Sequence, residues 1–162
     1  MLRSIEAADR EAVEKLVSQH FGSSRVVSLG VLHHASELPG WLVEVDTELR
    51  GVLCYDLAGR DCEVVVLIAS PPRQGLGSCL LQHLYEWAEH QAIDRLWLIT
   101  TNDNQDAITF FRRSGWKLKA IHEGAVHEAR KLKPEIPLVS DQGIAIADEW
   151  EFEYQLHSNV GI

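Results

Sequence analysis

Hydrophobic and polar positions along the chain follow two periods, one helical and one extended, so the sequence predicts a mixture of helices and strands. Asp9 precedes a segment in which apolar residues recur at helical spacing, namely Val13, Leu16, Val17 and Phe21. Gly22 follows as a helix stop. The segment Arg25–His33 is β-branched and apolar, which predicts a single strand.

The middle of the chain predicts three further strands. Trp41–Asp46 alternates apolar and polar residues, as a half-buried strand does, and Gly51–Leu57 returns as its hairpin partner. Glu63–Ala69 reads EVVVLIA. An apolar run without alternation is typical of a central strand that is covered on both faces.

The second half alternates helices with strands. The predicted elements are a helix over Gly75–Gln91, a strand over Asp94–Thr101, a helix over Asn104–Arg113, a strand over Trp116–Ile121, a helix over Ala125–Lys133 and a last strand over Glu149–Leu156. A helix that links two strands by a right-handed crossover makes strands 63–69 and 94–101 parallel, whereas the hairpins are antiparallel. The sequence therefore predicts an α/β protein with a mixed, mostly antiparallel sheet flanked by helices.

Composition narrows the class of protein. The chain has 162 residues, 15 Lys and Arg against 24 Asp and Glu, and a net charge of −9. One domain over residues 1–162 is expected at this length. The acidic balance argues against a nucleic-acid binder, and no apolar run is long enough for a membrane span. Three cysteines without a CxxC pair favour a reducing, cytoplasmic setting, and the eight histidines form no metal-ligand pattern, so no metal is expected.

The turn between the central strand and its helix contains the most informative glycines. Gly75 and Gly77 allow a ligand to approach the main chain, and the N-terminus of the helix favours an anion such as a pyrophosphate, with Arg73 beside it. The spacing excludes two phosphate loops, because no Lys follows Gly77 as in a Walker A loop and Leu80 replaces the third glycine of a dinucleotide fingerprint. A turn whose glycines serve only tight packing is the alternative.

Two motifs resemble the hallmarks of the GNAT N-acetyltransferase superfamily. The first, Q/R-x-x-G-x-G/A, aligns with residues 72–77 and departs at Pro72, where Arg73 supplies a neighbouring positive group. The second, N-x-x-A-x-x-F/L-Y-x-x-x-G-F, aligns with residues 104–116 and departs at Phe111, where the family usually has Tyr. The tail over residues 132–153, LKPEIPLVSDQGIAIADEWEFE, also resembles that of a subset of acetyltransferases without a characterised activity. The resemblance implies a GNAT-like fold in which the two parallel strands splay apart.

The resemblance also implies acetyl-CoA as cosubstrate and a set of residues that bind it. The main chain of the central strand would hold the pantetheine arm, and a backbone N–H near Ile68 would stabilise the oxyanion. The turn would bind the pyrophosphate, Asn104 would contact CoA and Phe111 would pack near the thioester. The implied cofactor-binding residues are Leu67, Ile68, Ala69, Arg73, Gln74, Gly75, Leu76, Gly77, Ser78, Asn104 and Phe111.

The implied reaction is direct attack of a primary amine on the thioester, which requires a base. Glu63, at the start of the central strand, and His122 are the candidate catalytic residues. A strand-end Glu in solvent explains Glu63 equally well, and a surface role is the alternative for His122. Phe111 has no proton to give the leaving thiolate, so either water or a side chain such as Tyr85 protonates it. The departures at Pro72 and Phe111 keep a second function open, a non-catalytic acyl-CoA-binding regulatory module.

The partners are expected to be a small-molecule or peptide amine and neither nucleic acid nor membrane. Segments 20–40 and 122–147 are expected to build the acceptor side of the cleft, but they contain no motif that identifies the acceptor. A homodimer is a further expectation, because the alternating strand EWEFEYQL is suited to pairing across an interface.

Overall fold

The computed structural model describes residues 1–72 and 74–156. Four α-helices and nine strands follow one another in the order β1 (Leu2–Ser4), α1 (Arg10–Phe21), β2 (Arg25–Ser28), β3 (Val31–His34), β4 (Gly40–Val45), β5 (Glu48–Ala58), β6 (Asp61–Ala69), α2 (Leu76–His90), β7 (Arg95–Thr101), α3 (Gln105–Arg113), β8 (Lys117–His122), α4 (Ala125–Leu132) and β9 (Glu149–Gln155).

Seven strands form the main sheet in the order β1-β4-β5-β6-β7-β9-β8. Every neighbouring pair is antiparallel except β6 and β7, which are parallel. The prediction of a mixed, mostly antiparallel sheet is therefore confirmed. Since β9 lies between β7 and β8, both of its edges are paired within the chain, and the expected route to a homodimer through EWEFEYQL is wrong. A homodimer by another surface stays a prediction.

The single strand expected over Arg25–His33 is wrong, because the segment folds back on itself. β2 and β3 form a separate two-stranded hairpin. Its turn is Leu29–Gly30, and both residues have positive φ, 45° and 79°. Two consecutive residues in this region make the tight turn that reverses a hairpin, and the glycine was the signal in the sequence. We call β2, the turn and β3 the hairpin.

The parallel strands pair over only three residues. Asp61–Glu63 of β6 faces Arg95–Trp97 of β7, and the pairing stops there. At the same place the register between β5 and β6 shifts, so that Val65 is the extra residue of a β-bulge. A bulge bends its strand, and β6 separates from β7 beyond this point. The prediction of a splayed parallel pair is confirmed.

The bulge also exchanges the faces of β6. Cys62 and Val64, before it, belong to the core that the sheet shares with α2 and α3, whereas Val66 and Ile68, after it, belong to the core shared with α1. This explains why EVVVLIA contains no alternation, since the strand supplies apolar side chains to both cores. Within the described residues no helix is long and apolar enough to cross a membrane.

A substitution at Gly40 tests how closely β4 and β5 approach each other. A Cβ at this position would lie 1.9 Å from the Leu53 carbonyl oxygen, which is backbone and does not yield. We expect Gly40→Ala to lower the free energy of unfolding by about 3 kcal/mol or more, because the two strands must move apart. Denaturant unfolding measures this change.

Gly59→Ala is the matched control. Gly59 has a φ of +64° but open space around the position of a Cβ, so alanine there meets conformational strain alone, about 1 kcal/mol. Equal losses for the two variants would contradict the close approach.

Candidate active site

A cleft opens where β6 and β7 separate. Its volume is about 900 Å³. Val64, Val65 and Leu67 line one wall, and the residues from Leu98 to Thr101 line the other. Segments 20–27 and 133–146 supply further lining residues, as expected for the acceptor side. The cleft exists because hydrogen bonds between two neighbouring strands are missing over this stretch.

The main chain of β6 offers free hydrogen-bonding groups to the cleft. The Ser70 N–H donates to the Arg50 carbonyl, and the register pairs Val52 with Ile68 and Gly51 with Ala69. In an antiparallel pair, successive residues of a strand direct their N–H and C=O groups alternately toward the partner strand and away from it. The N–H of Ile68 therefore points to β5, whereas the N–H and C=O groups of Leu67 and Ala69 point to the gap. The backbone N–H expected near Ile68 is therefore one of its neighbours, Leu67 or Ala69, because the N–H of Ile68 itself is directed to β5.

The N-terminus of α2 has the geometry of an anion site. Gly75 is its cap residue, with a φ of 78°, and among the described residues no atom outside its chain neighbours lies within 4 Å of the position of a Cβ. The N–H groups of Leu76, Gly77 and Ser78 are in the first turn, where they have no partner within the helix. Gln74 is exposed beside them, and Arg73 lies outside the described residues. The main chain here is accessible to a phosphate group.

Gly77 has a second reason for being glycine. A Cβ at this position would lie 3.2 Å from Cζ of Phe110, so the residue lets α2 approach α3. The alternative of packing therefore applies to Gly77, whereas Gly75 is required by its left-handed conformation.

Asn104 and Phe111 both line the cleft. The Asn104 side-chain oxygen accepts from the Ala107 N–H at 3.3 Å and caps α3. Phe111 is 7% exposed and packs edge-on against Trp116.

Tyr85 is not among the lining residues: its hydroxyl accepts from Trp116 Nε1 at 2.8 Å, and burial raises its pKa to about 12. Tyr85 is thus part of the core and does not serve as an acid for the thiolate.

Glu63 lies under the turn of the hairpin. It is 6% exposed, and the Ser28 hydroxyl donates to its Oε2 at 2.5 Å. His33 Nε2 is 3.4 Å from Glu63 Oε1, and this interaction raises the pKa of His33 although burial opposes it. Glu63 is also in the last residue pair before β6 leaves β7. It precedes Val64, which lines the cleft, but is not itself a lining residue.

Glu149 is the carboxylate that sequence analysis missed. It begins β9, is 2% exposed and lines the cleft. Its Oε1 accepts from the Leu29 N–H at 3.1 Å. Burial raises the pKa of Glu149, and the nearby charge of Glu63 adds to this rise. We call Glu63 and Glu149 the acid pair, because consecutive residues of the hairpin, Ser28 and Leu29, bind one each.

His122 is not among the residues that line the cleft. Its Nε2 is 2.9 Å from Glu151 Oε1, and Glu151 is also ion-paired with Arg95. Burial raises the pKa of Glu151, but hydrogen bonds from His122 and Arg95 outweigh it, and the net pKa is lowered. His122 is opposite Glu149 in the register of β8 and β9, and its charge lowers the pKa of Glu149. His122 therefore acts on the pKa of Glu149 from the neighbouring strand, outside the cleft.

The described part of the chain contains no cluster of three or more His, Cys, Asp or Glu side chains arranged to hold a metal ion. At the far end of the cleft from the acid pair, Lys133 is a second lining residue that sequence analysis missed.

Two curated relatives match most of the chain. The uncharacterised protein YdhI of Bacillus subtilis (strain 168) is 38% identical over 133 residues, which is 82% of this chain and 83% of that protein. The uncharacterised protein YxbD of the same organism is 33% identical over 141 residues, 86% of this chain and 89% of that one.

Solved structures share the fold at low identity. An IAA acetyltransferase from Bacillus cereus ATCC 14579 has a TM-score of 0.71 at 13% identity, covering 96% of this chain and 99% of that one. A GNAT family acetyltransferase from Elizabethkingia anophelis with acetyl-CoA bound has a TM-score of 0.69 at 14% identity, covering 96% and 97%. The sequence model of the acetyltransferase (GNAT) family matches residues 7–116, more than half of the chain. The chain therefore belongs to the GNAT acetyltransferase family.

Proposed function

We propose that the protein transfers the acetyl group of acetyl-CoA to a primary amine by direct attack on the thioester. One observation carries the proposal: β6 turns the free main-chain groups of Leu67 and Ala69 into a cleft that β7 leaves open. An amide-rich arm is able to extend this strand edge. The Elizabethkingia anophelis neighbour has acetyl-CoA bound in the same fold, which supports this cosubstrate.

The residues of this chain fit acetyl-CoA at two places. Leu67 and Ala69 would hold the pantetheine arm along β6, and the first N–H groups of α2, from Leu76 to Ser78, would bind the pyrophosphate. No described residue beyond its chain neighbours occupies the space where a Cβ of Gly75 would be, which gives the phosphates access to the main chain. The cosubstrate supplies an acetyl group that is activated as a thioester.

The acid pair is placed to receive the acceptor amine. Its carboxylates attract the ammonium, and Glu149, which lines the cleft and has a raised pKa, takes the proton directly or through water. Glu63 is held by Ser28 and His33 and keeps negative charge beside the amine. His122 acts as a positioning residue, through Glu151 and through its charge on Glu149.

The site stabilises the oxyanion with a main-chain N–H but provides no acid for the thiolate. An N–H of Leu67 or Ala69 stabilises the developing oxyanion, an effect typically worth about 3 kcal/mol. Phe111 packs where the family usually has Tyr and donates no proton. A thiol has an ordinary pKa of about 8.5, so the thiolate leaves without an acid and water protonates it afterwards.

An acyl-CoA-binding regulatory module is the second candidate function. Phe111 favours it, since no hydroxyl of that side chain reaches the leaving group. The two functions differ in one measurable property, turnover with an amine.

The first test is incubation of the purified protein with acetyl-CoA and a panel of amines. We expect release of CoA that depends on the amine, together with a mass gain of one acetyl group on the acceptor. Binding of CoA in calorimetry without release by any amine would support the regulatory module. Absence of both binding and release would contradict the two functions together.

The second test is Glu149→Gln. We expect kcat to fall by about 10²–10⁴-fold, because the amine loses its base, while the KM for acetyl-CoA stays within threefold. Steady-state kinetics measures both. Glu153→Gln is the matched control, since Glu153 is in the same strand but pairs with Arg95 and does not line the cleft. A kcat for Glu149→Gln equal to that of this control would contradict the assignment of the base.

The thermal stability of the protein gives an independent test of the raised pKa of Glu149. A carboxyl whose pKa is raised by folding stabilises the folded protein at low pH, and this contribution is lost as the pH rises through the raised pKa. Gln does not ionise, and its side-chain oxygen still accepts the Leu29 N–H. We therefore expect Glu149→Gln to have a Tm at pH 7.5 that is equal to or above that of the native protein, and a clear decrease would contradict the direction of the shift.

A further inference from the structure

The cleft contains a buried lysine at the end opposite the acid pair. Lys133 follows α4, is 7% exposed and lines the cleft beside Phe21 and Val26. Its Nζ donates one long hydrogen bond, 3.4 Å, to the Phe21 carbonyl oxygen at the end of α1. An ammonium has three donors, so two of them have no partner among the residues described.

No carboxylate in the ranges 1–72 and 74–156 is within 4.0 Å of Lys133 Nζ. Glu135, two residues later, is ion-paired with Arg25. Burial lowers the pKa of Lys133, and although the charge of Glu135 opposes this, the charge of Arg25 adds to it. Lysine is almost never this buried unless it is paired, because an unpaired ammonium in a protein interior is costly. A bound anion would supply the missing charge.

The free donors of Lys133 suit a carboxylate. A carboxylate accepts two hydrogen bonds from one ammonium or shares it as a point charge. A phosphate group is more often held by the fork of an arginine or by several main-chain N–H groups. The arginine near Lys133, Arg25, is already ion-paired with Glu135 and does not line the cleft.

The length of β2 gives the scale of the distance between the two ends of the cleft. Arg25, at its start, binds Glu135 near Lys133, and Ser28, at its end, binds Glu63. The backbone at the two ends of β2 is therefore about 10 Å apart, which sets the scale of the separation between Lys133 and the acid pair. Val26 and Val27 line the cleft between these ends, so its middle is apolar. The cleft thus has the acid pair at one end and apolar residues in the middle. At the other end Lys133 lines it together with Glu135, whose charge is paired with Arg25. Asp103, Asp106 and Asp141 also line the cleft.

We propose that Lys133 binds the carboxylate of an elongated acceptor whose primary amine lies at the acid pair. A tripeptide with a free C-terminus has the right length, since three extended residues also span about 10 Å. A free α-amino acid is too short to reach both ends, because its ammonium and carboxylate are attached to the same carbon. This inference rests on the proposed function and assigns the acceptor class to the same cleft.

The test compares three acceptors with the unmodified protein and acetyl-CoA: trialanine, trialanine C-terminal amide and alanine. We expect kcat/KM for trialanine to exceed that for its amide by at least tenfold, and alanine to be a poor acceptor. A tenfold preference corresponds to about 1.4 kcal/mol. Equal use of trialanine and its amide would overturn the inference while leaving acetyl transfer intact.

Lys133→Met removes the charge but keeps the length of the side chain. We expect this variant to use trialanine and its amide within twofold of each other, because the KM for trialanine rises toward that for the amide. Lys131→Met is the matched control, because Lys131 is on the same helix but exposed and paired with Glu128; it keeps the tenfold preference. Persistence of that preference in Lys133→Met would overturn the inference.

Two further measurements separate this inference from the proposed function. Calorimetry with N-acetyl-trialanine, which has the carboxylate but no amine, needs no turnover, and we expect binding to the native protein that Lys133→Met loses by at least tenfold. Equal binding to both proteins would overturn the inference even if no amine were acetylated. Intact-protein mass spectrometry followed by peptide mapping would also overturn it by finding acetyl-Lys133, since that lysine would then be an acceptor itself.

Discussion

The separation of β6 from β7 is the constraint on which the site depends. The strands pair through Glu63 and Trp97 and then part, at the place where Val65 forms a bulge against β5. The separation leaves the main-chain groups of Leu67 and Ala69 without a strand partner and makes room for a ligand between two walls. The same bulge lets β6 supply side chains to both cores. A feature that binds the ligand is thus also required for packing.

The hairpin fixes the position of two carboxylates at this opening. Ser28 and Leu29 bind Glu63 and Glu149, which come from strands on opposite sides of the gap. Two buried carboxylates repel each other, so their proximity costs stability, and the hydrogen bonds from the hairpin offset part of that cost. In the proposed reaction, the two carboxylates are where the acceptor ammonium would arrive and lose a proton. Lys133 would bind the opposite end of the acceptor.

Much of the fold was predictable because hydrophobic periodicity and glycine positions are local signals. These signals predicted the β6–α2–β7 crossover and the α2 N-terminus. The splayed pair and the places of Asn104 and Phe111 followed from the family resemblance that the two motifs carry. The hairpin was missed because Leu29, an apolar residue, takes a positive φ inside a segment that reads as one strand. Glu149 was missed because an alternating strand suggests solvent for its charged face, whereas the hairpin covers that face. Lys133 was missed because burial of a helix-terminal lysine depends on α1, which is distant in sequence. The single-domain extent over 1–162 and the cytoplasmic setting stay predictions.

Amide hydrogen exchange along β6, with and without acetyl-CoA, tests the central claim most directly. In the free protein, the Leu67 and Ala69 N–H groups should exchange faster than those of Val66 and Ile68, which the pairing directs to β5. Saturating acetyl-CoA should slow Leu67 and Ala69 by at least tenfold and leave Ile68 unchanged. Exchange at Leu67 and Ala69 that is already slow in the free protein, or that acetyl-CoA does not alter, would contradict the account.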